Sequence, residues 1–364
     1  MRKCVKLFFL VLFSFSVFGE TLSYSDLLMN CKTEQMEALD QAKEALDLQS
    51  SIQFRSLEGG LTRAKLYCFE KEDQKYVLRF LALKPDEPKE MRQNEIAAQG
   101  IGNHLGIAPD LIFVDSEAVL MVMPFIEGHP FRNPSELQLG QLGKRVRSLH
   151  DYSGEFPTRY TFQQRLERHY KKGMKMGIAF PTGFDREVLA AINQTNSRSF
   201  VPCHGDLNVS NILVSESEIH LIDWTTATWD DPFTELSYFC SLANLSPSQE
   251  AVFLKAYFGR EPNDEELKIL QEEKAKVYLL TALIWLRFGE TAEEAASPLQ
   301  ERIAALDEEL HSESLKPIDV YLRDGMADLH TAPKAEIQSC GLSFYKAYLQ
   351  ERTTFHEDRS ACLF

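Results

Sequence analysis

Residues 203–224 read C-H-G-D-L-N-V-S-N-I-L-V-S-E-S-E-I-H-L-I-D-W, and three oxygen-bearing side chains in them, Asp206, Asn211 and Asp223, are spaced as if to work together. The apolar runs Asn211-Ile212-Leu213-Val214 and Ile219-His220-Leu221-Ile222 flank the polar Ser215-Glu216-Ser217-Glu218, which predicts a β-hairpin with a polar turn. A loop carrying His204, Asp206 and Asn208 enters the first strand, and Asp223 leaves the second. Strand pairing would bring Asp206, Asn211 and Asp223 to one edge of a small ribbon. Magnesium takes oxygen ligands, usually one or two carboxylates together with substrate phosphates. Phosphoryl transfer uses such a metal and a carboxylate that orients the attacking hydroxyl. The plainer alternative is a hairpin whose loop acids only cap turns.

Other elements must hold that ribbon and supply positive charge. Phe54-Arg55-Ser56-Leu57, Lys65-Leu66-Tyr67-Cys68-Phe69 and Tyr76-Val77-Leu78-Arg79-Phe80 predict a twisted antiparallel sheet. Gly59 and Gly60 stand between the first two of these strands, where glycine lets a backbone loop lie close over phosphates. The Thr62 hydroxyl is placed to donate to a phosphate oxygen, although a simple hairpin turn would use the same glycines. Residues 89–105 predict a helix with Met91, Ile96, Ala97, Ile101 and Leu105 on one face; Glu95 and its competitor Glu90 lie on it. Residues 111–115 and 118–123 predict a further strand pair that ends in the turn Pro124 to Gly128. Helical spacing recurs over 25–49, over 135–150 with Ser135 as N-cap, and over 162–176, 236–245, 248–258 and 264–288.

The string H-G-D-L-x-x-x-N-I-L followed by I-D-W closely resembles the aminoglycoside phosphotransferase and choline/ethanolamine kinase superfamily, which shares the protein-kinase-like fold. The Asp206-to-Asn211 spacing also matches the kinase catalytic loop, with Asp223 where the D-F-G aspartate would stand. The resemblance spans about residues 52–288. It implies an α+β fold of two lobes, a small antiparallel β N-lobe and a larger, mostly helical C-lobe. It further implies an ATP- and magnesium-dependent kinase that phosphorylates a hydroxyl of a small molecule, choline-, ethanolamine- or aminoglycoside-like. On that reading Asp206 is the catalytic base, and Asn211 and Asp223 hold magnesium. Arg79 takes the place of the lysine in V-A-I-K, and Glu95 pairs with it. Gly59, Gly60 and Thr62 cover the phosphates, and the backbone from Met123 to Phe125 holds adenine. The segment Thr226 to Leu236 resembles the family's G-x-x-D-P-x-x-D-L, with Glu235 in place of the usual aspartate, as a loop anchor or facing substrate. Trp285 reads first as core, and second as the wall of a cation pocket, because aromatic faces attract quaternary ammonium. The competing readings are a catalytically weak kinase-fold adaptor or nucleotide-binding effector, and a protein kinase; no A-P-E-type segment follows Asp223.

The chain has 364 residues and a net charge of −15. That balance argues against nucleic acid as a partner, because phosphate backbones call for a basic face. It suits a cationic acceptor or simple solubility. One basic helix, residues 162–176, stands apart, with Arg165, Arg168, His169, Lys171, Lys172 and Lys175. It reads as a solvated face or as a surface for an anionic substrate, membrane or partner. The seven cysteines form no C-x-x-C pair and suggest reduced thiols rather than zinc. Residues 1–20 have the basic start, apolar centre and small-residue end of a secretory signal. They are expected to be an export signal, an uncleaved anchor giving membrane contact, or a misassigned start. Export or membrane association then requires an ATP-containing compartment, and the alternative is a cytoplasmic protein. The expected organisation is a signal-like segment (1–20), a helical lead-in (21–48), a β-rich nucleotide-binding lobe (49–125), a helical lobe with the catalytic loop (126–350) and a polar tail (351–364).

Overall fold

Alternating apolar and polar residues on either side of short turns become strands, as the period of two requires. In the computed structural model, which describes residues 18–57, 65–81, 89–194, 197–216, 218–326, 328–329 and 331–361, the chain starts with strand β1 (Phe18–Ser23). Helices α1 (Tyr24–Met29) and α2 (Thr33–Ala45) come next, then β2 (Gln53–Leu57), β3 (Lys65–Lys71) and β4 (Gln74–Phe80). Helix α3 (Lys89–His104), β5 (Phe113–Val114) and β6 (Leu120–Pro124) complete a six-stranded antiparallel sheet in the order β1-β2-β3-β4-β6-β5. Glu72 and Asp73 close the β3–β4 hairpin with φ of 51° and 62°. Two positive-φ residues in a two-residue loop match the twist of the strands they join.

The two faces of this sheet have different jobs. Phe54, Phe69, Leu78, Phe80, Leu120 and Val122 point to one side and pack on Leu27, Ala38, Leu39 and Ala42 of α1 and α2. Each such large apolar side chain contributes about 1.5–3 kcal/mol by leaving water. The register places Leu57, Leu66, Val77, Arg79, Met121 and Met123 on the opposite side. Strand β1 is an addition to the predicted sheet: it takes in residues 18–20, which the sequence groups with the leader-like segment, and pairs Leu22 with Phe54.

Strand β7 (His129–Pro130) follows, then α4 (Glu136–His150), capped by Ser135, whose hydroxyl accepts from Gln138 N at 3.3 Å while Gln138 Oε1 accepts from Ser135 N at 2.8 Å. Later come β8 (Val201–Cys203), β9 (Ile212–Ser215), β10 (Glu218–Leu221) and β11 (Thr228–Asp230). The β9–β10 pair is the predicted hairpin, with β7 on the other side of β9. Asn211 sits just before it, in a short 3-10 turn.

The chain divides into two compact units, and residues 18–159 and 202–229, all the strands' main part, form one of them. The other, residues 160–201 and 230–361, is helical: α5 (Phe162–Met176), α6 (Phe184–Asn193), α7 (Pro232–Leu242), α8 (Pro247–Phe258), α9 (Asp264–Gly289), α10 (Ala292–Ala295), α11 (Leu299–His311), α12 (Ile318–Asp324) and α13 (Lys334–Ala361). Its core is made chiefly by Val277, Leu279, Leu283 and Leu286 of α9 against Ile337, Phe344 and Tyr345 of α13. Asp231 caps α7 by accepting from Phe233 N at 2.9 Å, and it pairs with Arg198, whose guanidinium also meets Glu273 at 2.5 Å. The polar composition after Glu351 suggests a tail, yet α13 continues to Ala361, with Glu351 bonded by Gln271 and Arg352 paired to Glu187. No described helix is long and apolar enough to cross a membrane.

Candidate active site

The loop before β9 turns on Gly205, whose φ is 78° and whose hydrogen faces the carbonyl of Thr226; a Cβ there would collide with that oxygen. Only glycine fits both demands. His204 is fully buried, its ring centroid 4.8 Å from that of Trp224, and its Nε2 lies 2.9 Å from Ile222 O. A carbonyl only accepts, so Nε2 carries the proton. The Thr226 hydroxyl donates to His204 O at 3.3 Å, so the loop is bound to the chain that leaves β10.

Asp206 receives an amide hydrogen on each carboxylate oxygen. Asn208 Nδ2 donates to Oδ1 at 3.0 Å and Asn211 Nδ2 donates to Oδ2 at 3.0 Å. Asn211 Nδ2 also lies 3.0 Å from Asp206 O, and its backbone carbonyl accepts from Ile222 N at 2.9 Å. The residue before Asp223 is thereby fastened to Asn211, and this carries the strand register into the site. With its amide nitrogen turned to Asp206, Asn211 presents its side-chain oxygen elsewhere. By sequence Asn208 is only a loop residue; its role as a clamp depends on a local turn in which its Oδ1 also accepts from Ser210 N at 2.9 Å.

Asp223 has φ 61° and ψ 66°, a left-handed conformation uncommon for a residue with a side chain. Such strain costs on the order of 1–3 kcal/mol and persists where surrounding contacts over-determine it. Here those contacts are Arg79 and Thr225. Arg79 Nη2 lies 3.0 Å from Asp223 Oδ1, 3.1 Å from Thr225 Oγ1 and 2.8 Å from Glu95 Oε1. Thr225 Oγ1 in turn donates to Asp223 Oδ1. Thr225 gave no signal in the sequence beyond its place two residues after the aspartate.

Burial governs the ionisation of this trio. It would raise the Asp223 carboxyl, but the Arg79 guanidinium and the Thr225 hydroxyl outweigh it and hold the group below the usual carboxylate range. Burial pushes the Glu95 carboxyl up in spite of Arg79. Burial would lower Arg79, yet Glu95 and Asp223 hold it above its usual value. Arg159, whose guanidinium donates to Thr225 O, is the other cation felt by Glu95. Asp206, Asn211 and Asp223 offer oxygen donors and no sulfur or imidazole, a donor set that suits a hard divalent cation.

The same sheet face extends from Arg79 through Val77 and Met123 towards Phe125. Phe125 N donates to Lys75 O at 2.9 Å, so that amide is already used inside the sheet. Antiparallel pairing alternates inward and outward groups, which leaves the Pro124 carbonyl pointing away from β4. A cavity of about 610 Å³ lies nearer the β3–β4 hairpin, lined by Gln53, Arg55, Cys68, Glu72, Lys75 and Phe125 among others, and touches none of Arg79, Asp206 and Asp223. Gly59, Gly60 and Thr62 lie outside the described residues. In the helical unit Glu235 is buried in the first turn of α7, and Trp285 is 6% exposed, its ring 6.3 Å from that of Phe344. Trp285 is therefore a core residue of its unit.

A protein described as a LicA homolog, from Metamycoplasma hominis, is 29% identical over 214 residues, 58% of this chain and 83% of the relative. Among solved structures, a choline/ethanolamine kinase family protein from Mesorhizobium loti matches with a TM-score of 0.52 at 20% identity, covering 80% of this chain and 92% of that one. An ethanolamine kinase from Plasmodium vivax matches with a TM-score of 0.55 at 15% identity, covering 78% and 88%. At these identities the structures show a shared fold: the expected α+β architecture, with an antiparallel sheet N-lobe and a helical C-lobe. A family model described as the phosphotransferase enzyme family matches residues 54–270, more than half of the chain, and to that family the chain belongs.

Proposed function

We propose that this phosphotransferase moves the terminal phosphoryl group of ATP to a hydroxyl of a small molecule of the choline, ethanolamine or aminoglycoside kind. The observation that carries the reading is the double amide clamp on Asp206, one jaw of which is Asn211, itself fastened by its backbone to the residue before Asp223. Magnesium, held by the Asn211 side-chain oxygen and the Asp223 carboxylate, would neutralise charge on the transferring phosphates when bound. The chain's own groups do the rest by position and charge. Asp206, fixed in one orientation, aims the acceptor hydroxyl and takes its proton. Arg79 turns its guanidinium to phosphate oxygens while Glu95 keeps it in place. The Pro124 carbonyl accepts a hydrogen bond from the adenine amino group, between Val77 and Met123 on the sheet face. Gly59, Gly60 and Thr62 cover the phosphates. The net charge of −15 supports a cationic acceptor.

The test is turnover by protein lacking residues 1–17, given ATP, magnesium and a panel of amino-alcohols, aminoglycosides and sugars, followed by ADP release. Asp206→Ala should lower kcat by about 10²–10⁴ while ATP still binds. Undiminished turnover in that variant refutes the assignment. Nucleotide binding without turnover on any acceptor instead favours an adaptor. We further propose that residues 1–17 direct export or membrane association, which fractionating cells that express a C-terminally tagged chain checks.

A further inference from the structure

The stretch between α4 and α5, residues 151–161, lies outside any helix or strand, yet its later part is tied on two sides. Trp229 Nε1 donates to Phe156 O at 3.0 Å, and the two rings meet edge to face with centroids 6.5 Å apart. Asn94 Nδ2, from the residue before Glu95 on α3, donates to Thr158 O at 3.0 Å. Arg159 N donates to Thr228 Oγ1 at 2.8 Å, and the Arg159 guanidinium donates from Nη1 to Thr225 O. Residues 156–159 therefore form a strap from the helix that carries Glu95 to the chain that leaves Asp223.

Thr225 is gripped from both ends by this arrangement. Its hydroxyl donates to Asp223 Oδ1 and lies 3.1 Å from Arg79 Nη2, while its carbonyl accepts from Arg159. The two grips respond differently to a cation. Arg79 and Thr225 both bond Asp223 Oδ1, an atom that a metal held by this carboxylate would also draw on. Those bonds weaken as a positive charge takes the oxygen. The bond from Arg159 goes to a backbone carbonyl of the 3-10 turn Trp224–Thr226, not to that carboxylate oxygen, so it survives. The left-handed backbone of Asp223, φ 61°, persists only while neighbouring contacts enforce it. Glu95 also feels Arg159, after Arg79, so it keeps a positive neighbour when Arg79 turns elsewhere.

We infer that Arg159 is a positioning residue for phosphoryl transfer: through the Thr225 carbonyl it keeps Asp223 in its left-handed pose while that carboxylate holds a divalent cation. The inference rests on the reading of Asp223 as a magnesium ligand. Outer partners that orient a metal ligand are commonly worth about 10–100-fold in metal affinity. The plainer role, a tie that only closes the fold, would leave metal binding indifferent to Arg159. The place of the bond speaks against it, because the carbonyl lies two residues past the ligand, in the turn that Asp223 opens.

The experiment is titration of the full chain with manganese(II), a cation that carboxylates also bind, in the presence of ADP, with the free ion followed by its EPR signal. Arg159→Gln is expected to weaken manganese binding by about 10–100-fold, while ADP affinity without metal changes by less than about twofold. Arg159→Lys, which can still donate to Thr225 O, should recover most of the loss. Asn94→Ala releases Thr158 without removing a charge; it gives a milder loss of the same kind and keeps the test valid should Arg159→Gln misfold. Parent-like manganese binding in Arg159→Gln and Asn94→Ala, with binding lost in Asp223→Asn, would overturn the inference and leave the metal role of Asp223 standing. Manganese binding undisturbed in Asp223→Asn would refute that role, and the inference with it. A lower melting temperature in Arg159→Gln with unchanged manganese binding, or an equal loss of metal-free ADP binding, would show a structural tie alone and likewise overturn it.

Discussion

Arg79 is shared between two carboxylates, Glu95 at 2.8 Å and Asp223 at 3.0 Å, and all three groups are largely withdrawn from water. Glu95→Gln removes one of the two charges that hold the guanidinium, while Asp223 remains. We expect about 1–3 kcal/mol lower stability in urea unfolding, together with a raised KM for ATP. An unchanged unfolding midpoint would mean that the pair adds nothing. At this scale the sequence was most informative about residue identity. The types and spacing of Asp206, Asn211 and Asp223 were visible because chemistry restricts which side chains can hold oxygen-loving ligands. Asn208 and Thr225 were not, because their partners are defined by a turn and by a left-handed residue, neither of which leaves a periodic trace.

Elements transmit these positions through their ends. The first turn of α5 is fastened where Asp230 accepts from Phe162 N, and the same carboxylate accepts from Asp231 N at 2.9 Å. Burial pushes Asp230 up to about 6, against the pull of those two backbone donors. A carboxyl whose folded value lies above its unfolded one binds an extra proton in the folded state between those values. Its contribution therefore falls as pH rises from about 4 to about 6 and is restored on acidification. Asp230→Asn cannot titrate. Relative to that variant, the parent should lose roughly 2–3 kcal/mol between pH 4 and pH 7 in denaturant titrations; parallel profiles would contradict the shift. Helix and strand identity was legible here wherever the period was sustained, as in α4, α5 and the β9–β10 hairpin. Strand β1 escaped because Phe18 continues an apolar run and Tyr24 begins a helix, leaving too short a stretch to show alternation. The task of α1 and α2, covering the back of the sheet, was hidden because an apolar helix face does not name what it covers.

For the whole molecule, β1 sets a limit on what can be removed from the N-terminus. Loss of residues 1–17 should leave a soluble, cooperatively melting protein. Loss of residues 1–23 strips the edge strand from β2 and uncovers Phe54, and we expect a melting temperature lower by several degrees and a tendency to aggregate. Equal melting curves for the two truncations would show that β1 is dispensable. The overall architecture could be read from the sequence through a family resemblance, not from periodicity, since strands and helices can be joined in many ways. The grouping of residues 202–229 with the sheet follows from contacts between elements distant in the chain, which chain order does not reveal.

If Asp223 holds magnesium as proposed, the Arg79 guanidinium that rests on its carboxylate occupies the place of that charge. A divalent ion held at that oxygen would replace one positive charge by another and would leave the arginine free for a triphosphate. Filling of the two sites would then be synergistic: nucleotide should tighten the grip on magnesium, and magnesium the grip on nucleotide, by the same factor.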